Sequence, residues 1–221
     1  VARYWAVFVF FHGSYKLKKQ PLLVGSKHCR LPHTKIQSYF YYEKRGAGKR
    51  IKNKNIKKYD VVLFFGSGGN FTDASQESGL ENYLKNGGGI VGVHATDAFK
   101  KSDSYWKIFG GQFIGHGGGT FNIVFNDKNH PITKGMTSFE ISDESYRDKM
   151  HPESKDKLHH LGRIDRGKEN HSMIWVHEYG KGRLFNTGLG HDEKAWVNPA
   201  LQKLVIRAIY WAAKKPVKDP K

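Results

Sequence analysis

Gly87-Gly88-Gly89-Ile90-Val91-Gly92-Val93-His94-Ala95-Thr96 runs from three glycines into an apolar segment that stops on a histidine. The segment has no polar alternation, so it reads as a strand buried on both faces, the kind found inside α/β proteins. A polar residue at the carboxyl end of such a strand stands where open α/β sheets place their sites. On the amino side, Asp73 to Asn86 carries Ser75, Gly79, Leu80, Tyr83 and Leu84 at helical spacing, with Thr72 as the expected N-cap and Gly87 as the stop. Before it, Asp60-Val61-Val62-Leu63-Phe64-Phe65 is a second buried strand, ending at Gly66-Ser67-Gly68-Gly69. Strand, helix and strand in this order imply a right-handed parallel crossover.

Further out, Trp5–Phe11 reads as a first strand and Gln37–Tyr42 as another, while Arg45–Lys58 is basic and polar surface. Downstream, Ser104–Phe109 reads as a short helix. Thr120–Phe125, Phe139–Ile141, His159–Ile164, Ser172–Glu178 and Arg183–Thr187 read as strands, with a turn at Pro131–Gly135. Asn198–Ala213 is an amphipathic helix with Leu201, Leu204, Val205, Ala208, Ile209 and Ala212 on one face, followed by Pro216 and a basic tail over residues 214–221. No repeat or linker divides the 221 residues, which are expected to form one domain.

Hydrophobic residues make up 38% of the chain and aromatics 14%, enough to bury a core, so disorder by composition is excluded. No apolar run reaches the roughly 18 residues of a membrane span. The single cysteine, Cys29, excludes an internal disulfide and a cysteine-based zinc site. The compartment stays open between a bacterial periplasmic or secreted location and the cytoplasm. The net charge of +17 is concentrated in the first 58 residues. It reads as a solvated basic surface, because no helix-turn-helix, zinc-finger or RNA-recognition pattern accompanies it, and no specific nucleic-acid partner is expected.

His94 is the first candidate for chemistry, as a general base or a metal ligand. His116, in Gly115-His116-Gly117-Gly118-Gly119, is expected on a glycine-rich loop that contacts ligand. His191 follows Gly188-Leu189-Gly190 after a strand, and Asp192 can orient it or cap the next segment. Asp143 and Glu144 are adjacent and point oppositely if extended, so one of them is expected to enter the site, and Glu144 is preferred. Its competing reading is a surface pair with Arg147. Trp106, Tyr105, Tyr146, Thr96 and Trp196 are candidates for holding substrate, since aromatic faces complement the C–H faces of sugar rings. His130, before Pro131, reads as a turn-fixing residue, and Trp175 as core. Three imidazoles, His94, His116 and His191, together with a carboxylate, can also hold a divalent ion such as zinc, although no pair of histidines has the i, i+4 spacing of a strong metal motif. Gly66-Ser67-Gly68-Gly69 lacks the lysine and hydroxyl of a P-loop and the spacing of a dinucleotide turn.

Taken together, several segments resemble the ThuA-like (trehalose utilisation) family. They are Lys58-Tyr59-Asp60-Val61-Val62, Asn86 to Thr96, Tyr105-Trp106, Gly110-Gly111-Gln112-Phe113, His116, Asn129-His130-Pro131-Ile132-Thr133, Asp143-Glu144-Ser145-Tyr146, Trp175, Gly182-Arg183-Leu184-Phe185 and Gly188-Leu189-Gly190-His191. They follow the family's order over roughly the last three-quarters of the chain, whereas residues 1–57 match poorly; there the family carries a histidine-bearing loop, for which His12 and His28 are the candidates. The resemblance implies a class I glutamine amidotransferase-like, flavodoxin-like three-layer sandwich with a mainly parallel central sheet. In amidotransferases the turn after the central strand carries a nucleophilic cysteine. Here that turn carries His94, so glutaminase chemistry, which needs a thiolate, is not expected.

The family is associated with uptake and use of disaccharides, in pathways that pass through 3-keto sugars. The expected function is therefore acid/base chemistry on a sugar or keto-sugar (isomerisation, elimination or hydrolysis). His94 and Glu144 are the proton-transfer candidates, and His116 and His191 polarise substrate or bind metal. The rivals are a non-catalytic carbohydrate-binding or sensing module and a basic nucleic-acid binder. The expected partner is a small carbohydrate, and homo-oligomerisation is left open.

Overall fold

The computed structural model describes the backbone of residues 4–11, 29–30 and 37–41, together with residues 56–67, 74–96 and 102–220. Expectations for Thr72, for most of the Gly66–Gly69 turn and for the basic residues before Ile56 lie outside what is described at side-chain level. The strands are β1 (Tyr4–Phe11), β2 (Cys29–Arg30), β3 (Gln37–Tyr41), β4 (Tyr59–Ser67), β5 (Gly89–Ala95), β6 (Gly111–Phe125), β7 (Phe139–Met150), β8 (Leu158–Asp165), β9 (Ser172–Tyr179) and β10 (Gly182–Thr187). The helices are α1 (Ala74–Lys85), α2 (Asp103–Phe109), α3 (Glu193–Trp196) and α4 (Pro199–Ala212).

The strands form one ten-stranded sheet in the order β2-β3-β1-β4-β5-β10-β9-β8-β6-β7. The expectation of a mainly parallel sheet needs correction, because the sheet is mixed. β3, β1, β4, β5 and β10 pair in parallel. From β10 through β9, β8, β6 and β7 every pairing is antiparallel. The connections explain the change. β9 and β10 are joined by the turn Gly180-Lys181, too short for the crossover a parallel pair requires.

The apolar runs of β4 and β5 alternate between two cores. Val61, Leu63, Phe65, Val91 and Val93 pack with Leu201, Leu204, Ala208 and Ile209 of α4. Val62, Phe64 and Ile90 pack with Leu80, Tyr83 and Leu84 of α1 and with Tyr105, Ile108 and Phe109 of α2. Both faces of β4 and β5 are thus covered by helices, as their unbroken apolar runs require. Gly92 permits the close fit between β5 and β10: a Cβ there would lie 2.4 Å from Asn186 Oδ1 and 2.8 Å from Thr96 Oγ1.

α4 is buried on more than the one expected face. Arg207 lies within its apolar surroundings and donates to the carbonyls of Ile132 and Lys134 at 3.1 and 2.6 Å. The tail after Pro216 folds back: Asp219 pairs with Arg207 and Lys203 at 2.5 and 3.0 Å, and Val217 packs against the core. Among the described residues, no helix is long and apolar enough to cross a membrane.

Candidate functional site

His94 ends the run of β5 at φ 61°, in the left-handed region that non-glycine residues seldom occupy. The turn is closed by Thr96 N–H donating to the His94 carbonyl at 2.8 Å. Strained backbone at a strand end is a recurrent property of functional sites. Here it turns the imidazole across the carboxyl end of the sheet toward the loop after β10. His94 Nδ1 lies 3.3 Å from the Gly188 carbonyl, a partner that can only accept. Nδ1 therefore carries the proton, and Nε2 presents its lone pair to the site. Burial pushes the His94 imidazole down to about 3, so the ring is neutral at pH 7.

Three residues face Nε2. Tyr146 Oη and His191 Nδ1 each lie 3.2 Å away, and Glu144 Oε2 lies 3.8 Å away. His191 Nδ1 is also 3.3 Å from Glu144 Oε2, and His116 Nδ1 is 3.7 Å from Glu144 Oε1. The four residues expected to carry chemistry thus converge on one cluster, with Glu144 at its centre. The alternative pairing of Glu144 with Arg147 gives way to three imidazole neighbours. His94 is enclosed, whereas His116 is 44% exposed at its side chain and Glu144 19%, so the cluster opens to solvent on the His116 side.

Two local expectations are corrected. His116 is not on a loop, because Gly111–Phe125 is one long strand. Asp143 and Glu144 do not lie between short elements but inside β7. The glycine-rich stretch pairs residue by residue with β7, after a bulge between Phe113 and Gly115: His116 opposite Tyr146, Gly118 opposite Glu144 and Gly119 opposite Asp143. A Cβ on Gly117 would stand 2.8 Å from Ser145 Oγ, and Gly119 takes φ +111°, in the region that favours glycine. Arg166 braces the ribbon, donating to the Gly118 carbonyl at 2.9 Å and to Ser145 Oγ at 3.3 Å.

Asp143 has a function that sequence reasoning missed. It is buried, its Oδ2 accepts Gly190 N–H at 2.7 Å, and its Oδ1 accepts Glu144 N–H at 2.8 Å and His191 N–H at 3.1 Å. Burial raises its carboxyl to about 6 against the lowering effect of these bonds. One carboxylate thus holds the loop that delivers His191, while its neighbour on the strand enters the cluster. Asp192 takes the capping role, accepting Ala195 N–H at the start of α3. Only residue spacing along β7 hinted at Asp143. Its partners lie nearly 50 positions away.

The proposed substrate residues divide. Tyr146 joins the cluster, and Phe113 packs on it with ring centroids 4.5 Å apart. Trp196 lies beneath the loop, its Nε1 donating to the Gly190 carbonyl at 2.9 Å. Thr96 and Tyr105 are not brought to the opening: Thr96 donates to Asn186 Oδ1, and the Tyr105 hydroxyl donates to the Thr96 carbonyl, both fully enclosed. Trp106 donates to the Lys149 carbonyl and packs on His151, apart from the four-residue cluster.

The metal expectation changes in composition. Among the described residues, the side chains whose ligand atoms all lie within 4.8 Å of one another are His94, Glu144 and His191, so two of the three imidazoles and a carboxylate come together and His116 stands outside the set.

With this geometry in view, the chain can be placed among known proteins. The model of the family described as ThuA, trehalose utilisation, matches residues 34–212. The chain belongs to the ThuA family. The match begins well before Lys58, so part of the poorly matching amino-terminal region is included. A ThuA-like protein from Parabacteroides merdae shares the fold at a TM-score of 0.73, with 18% identity over 97% of this chain and 91% of that one. Another, from Bacteroides uniformis, has a TM-score of 0.64 and 18% identity over 79% of this chain and 77% of that one. A β-galactosidase from Rahnella sp. R3 carries a similar fold over 25% of its length, at a TM-score of 0.55 and 11% identity over 82% of this chain. No curated protein matches.

His130, within the matched segments of this ThuA family member, sits in a turn. Its Nδ1 accepts Ile132 N–H at 3.3 Å, and Asp127 accepts the N–H groups of Asn129 and His130. Burial, aided by neighbouring His159, pushes its imidazole down to about 4 from 6.5. The unfolded chain therefore takes up this proton first as the pH falls. The stability His130 contributes is present above pH 6.5 and is lost as the pH falls toward 4. His130→Gln should flatten the fall in urea midpoint between pH 6.5 and 4. An unchanged slope in the variant refutes this assignment.

Proposed function

We propose that this ThuA family protein is an enzyme that processes a sugar or keto-sugar by proton transfer at the carboxyl end of β5. The observation that carries this reading is Glu144, partly exposed and within 3.3–3.8 Å of nitrogens from His191, His116 and His94. The parallel strands, with β4 and β5 helix-covered on both faces, fit the flavodoxin-like, amidotransferase-like core expected from the resemblance. Its elbow bears an imidazole where the amidotransferases bear a thiol.

The geometry favours a division of roles that differs from the one read in the sequence. A neutral, enclosed His94 is a poor proton carrier, and it serves better to orient Tyr146, His191 and Glu144. Glu144 is the base. A C–H bond next to a carbonyl is acidic enough for a positioned carboxylate to deprotonate, and the electron pair then moves onto the carbonyl oxygen. His116 or His191 stabilises and protonates that oxygen, and return of the proton elsewhere gives isomerisation, or loss of a leaving group gives elimination.

The test is incubation of the purified protein with 3-keto-disaccharides and the parent disaccharides, with products followed by NMR. Turnover with solvent deuterium entering the carbon next to the carbonyl is the expected result. Saturable sugar binding with no product under any condition would leave a carbohydrate-binding module instead.

A further inference from the structure

We propose that His94 Nε2, His191 Nδ1 and Glu144 Oε2 form a binding site for a divalent first-row metal ion, with zinc the best match. The three atoms are separated by 3.2 Å (His94 to His191), 3.3 Å (His191 to Glu144) and 3.8 Å (Glu144 to His94). A point equidistant from them lies about 2.0 Å from each, which is the zinc–nitrogen and zinc–oxygen bond length of about 2.0–2.2 Å. Two tetrahedral ligands at such bond lengths stand about 3.3 Å apart, close to the separations observed.

The surroundings are those of a metal centre. Metal-bound imidazoles as a rule donate their second N–H to a carbonyl or carboxylate, which fixes the tautomer, and His94 Nδ1 has the Gly188 carbonyl in that position. His191 is held from behind through its backbone N–H on Asp143. Gly190 takes φ +107°, with room for a Cβ only 2.9 Å from Val93, and this close approach carries His191 over the elbow. Two histidines and a glutamate form a donor set used by catalytic zinc sites, which keep a further position open. An ion at this site would polarise a substrate oxygen or a bound water. With the ion bound, Glu144 Oε2 and His191 Nδ1 would be ligands, leaving Glu144 Oε1 and His116, 3.7 Å apart, for the proton transfers of the acid/base reading above, on which the use of the ion in turnover rests and its binding does not.

The test uses the whole protein without a histidine tag, stripped with a chelator and titrated with zinc by calorimetry and with cobalt(II) by visible absorption. One equivalent of zinc is expected, with cobalt bands typical of a four-coordinate nitrogen and oxygen site. His191→Ala, which removes a ligand, and Glu144→Gln, which replaces a charged ligand by a neutral amide oxygen, should each weaken zinc binding by at least the roughly 10- to 100-fold that loss of an outer-shell partner costs. His159→Ala, an exposed histidine paired with Asp127, should leave the affinity unchanged and serves as the control against adventitious binding. Circular dichroism and melting temperature establish that each variant is folded. Glu144→Gln is isosteric and keeps the test valid if His191→Ala does not fold. Absence of a stoichiometric site, or wild-type affinity in both variants, overturns the proposal. Zinc binding without any sugar turnover would remove the proposed activity and leave the metal site. Turnover by stripped protein that binds no zinc would do the reverse.

Discussion

Glu144→Gln is expected to lower kcat on a 3-keto-disaccharide by about 10²- to 10⁴-fold, the range for loss of a positioned general base. Glutamine keeps the size and hydrogen-bonding reach of glutamate but cannot accept the proton. The contacts 3.3–3.8 Å away on His191, His116 and His94 can therefore survive while the chemistry stops. KM should move much less than kcat, because the group removed acts mainly in the transition state. The assay is run with zinc in excess, so that a weakened metal site is not mistaken for a lost base. If Glu144 only pairs with its histidine neighbours, kcat falls by less than about tenfold, and the assignment of Glu144 as base fails.

Trp175→Ala carries the largest expected loss of stability, about 3–5 kcal/mol by urea denaturation. The indole is fully enclosed on β9, and its Nε1 donates to the Phe109 carbonyl at 2.8 Å. It fills the junction between the end of α2 and the start of β6 so closely that a Cβ on Gly111 would be 2.8 Å from Cζ2. Alanine leaves a cavity and also a buried carbonyl without its donor, itself worth about 1–3 kcal/mol. Trp175→Phe keeps most of the volume and separates the two contributions. A loss under about 1 kcal/mol for the alanine variant would mean that the neighbours collapse into the space, and that the close packing described here does not hold.

The parts legible in the sequence are those where burial dictates composition. β4 and β5 announce themselves because residues facing two cores must both be apolar, and α4 because its apolar positions recur at helical spacing. β6 was only half legible. Thr120–Phe125 alternates as a half-buried strand should, whereas Gly115–Gly119 has the composition of a loop. Its extension depends on pairing with Asp143–Arg147; Ser145 and Arg166 crowd Gly117, and Gly119 takes φ +111°. Local propensity carries no record of a partner strand more than 20 residues away.

The same limit divides the site. From the chain alone follow an α/β fold, membership of a family concerned with trehalose utilisation, and a histidine at a strand end where open sheets place their chemistry. The sequence also picked out His94, His116 and His191, because imidazoles stood beside glycines or strand ends, and Glu144 as one of two adjacent carboxylates that point oppositely on an extended segment. The tertiary structure alone decided how they divide the work. The fold lays β7 and the loop after β10 across the elbow of β5, which sets Glu144 rather than His116 at metal-ligand distance from His94 and His191, and turns Asp143 away to hold the loop. Those distances are sums over packing and hydrogen bonds between segments roughly 50 and 100 residues apart, which spacing along the chain does not encode.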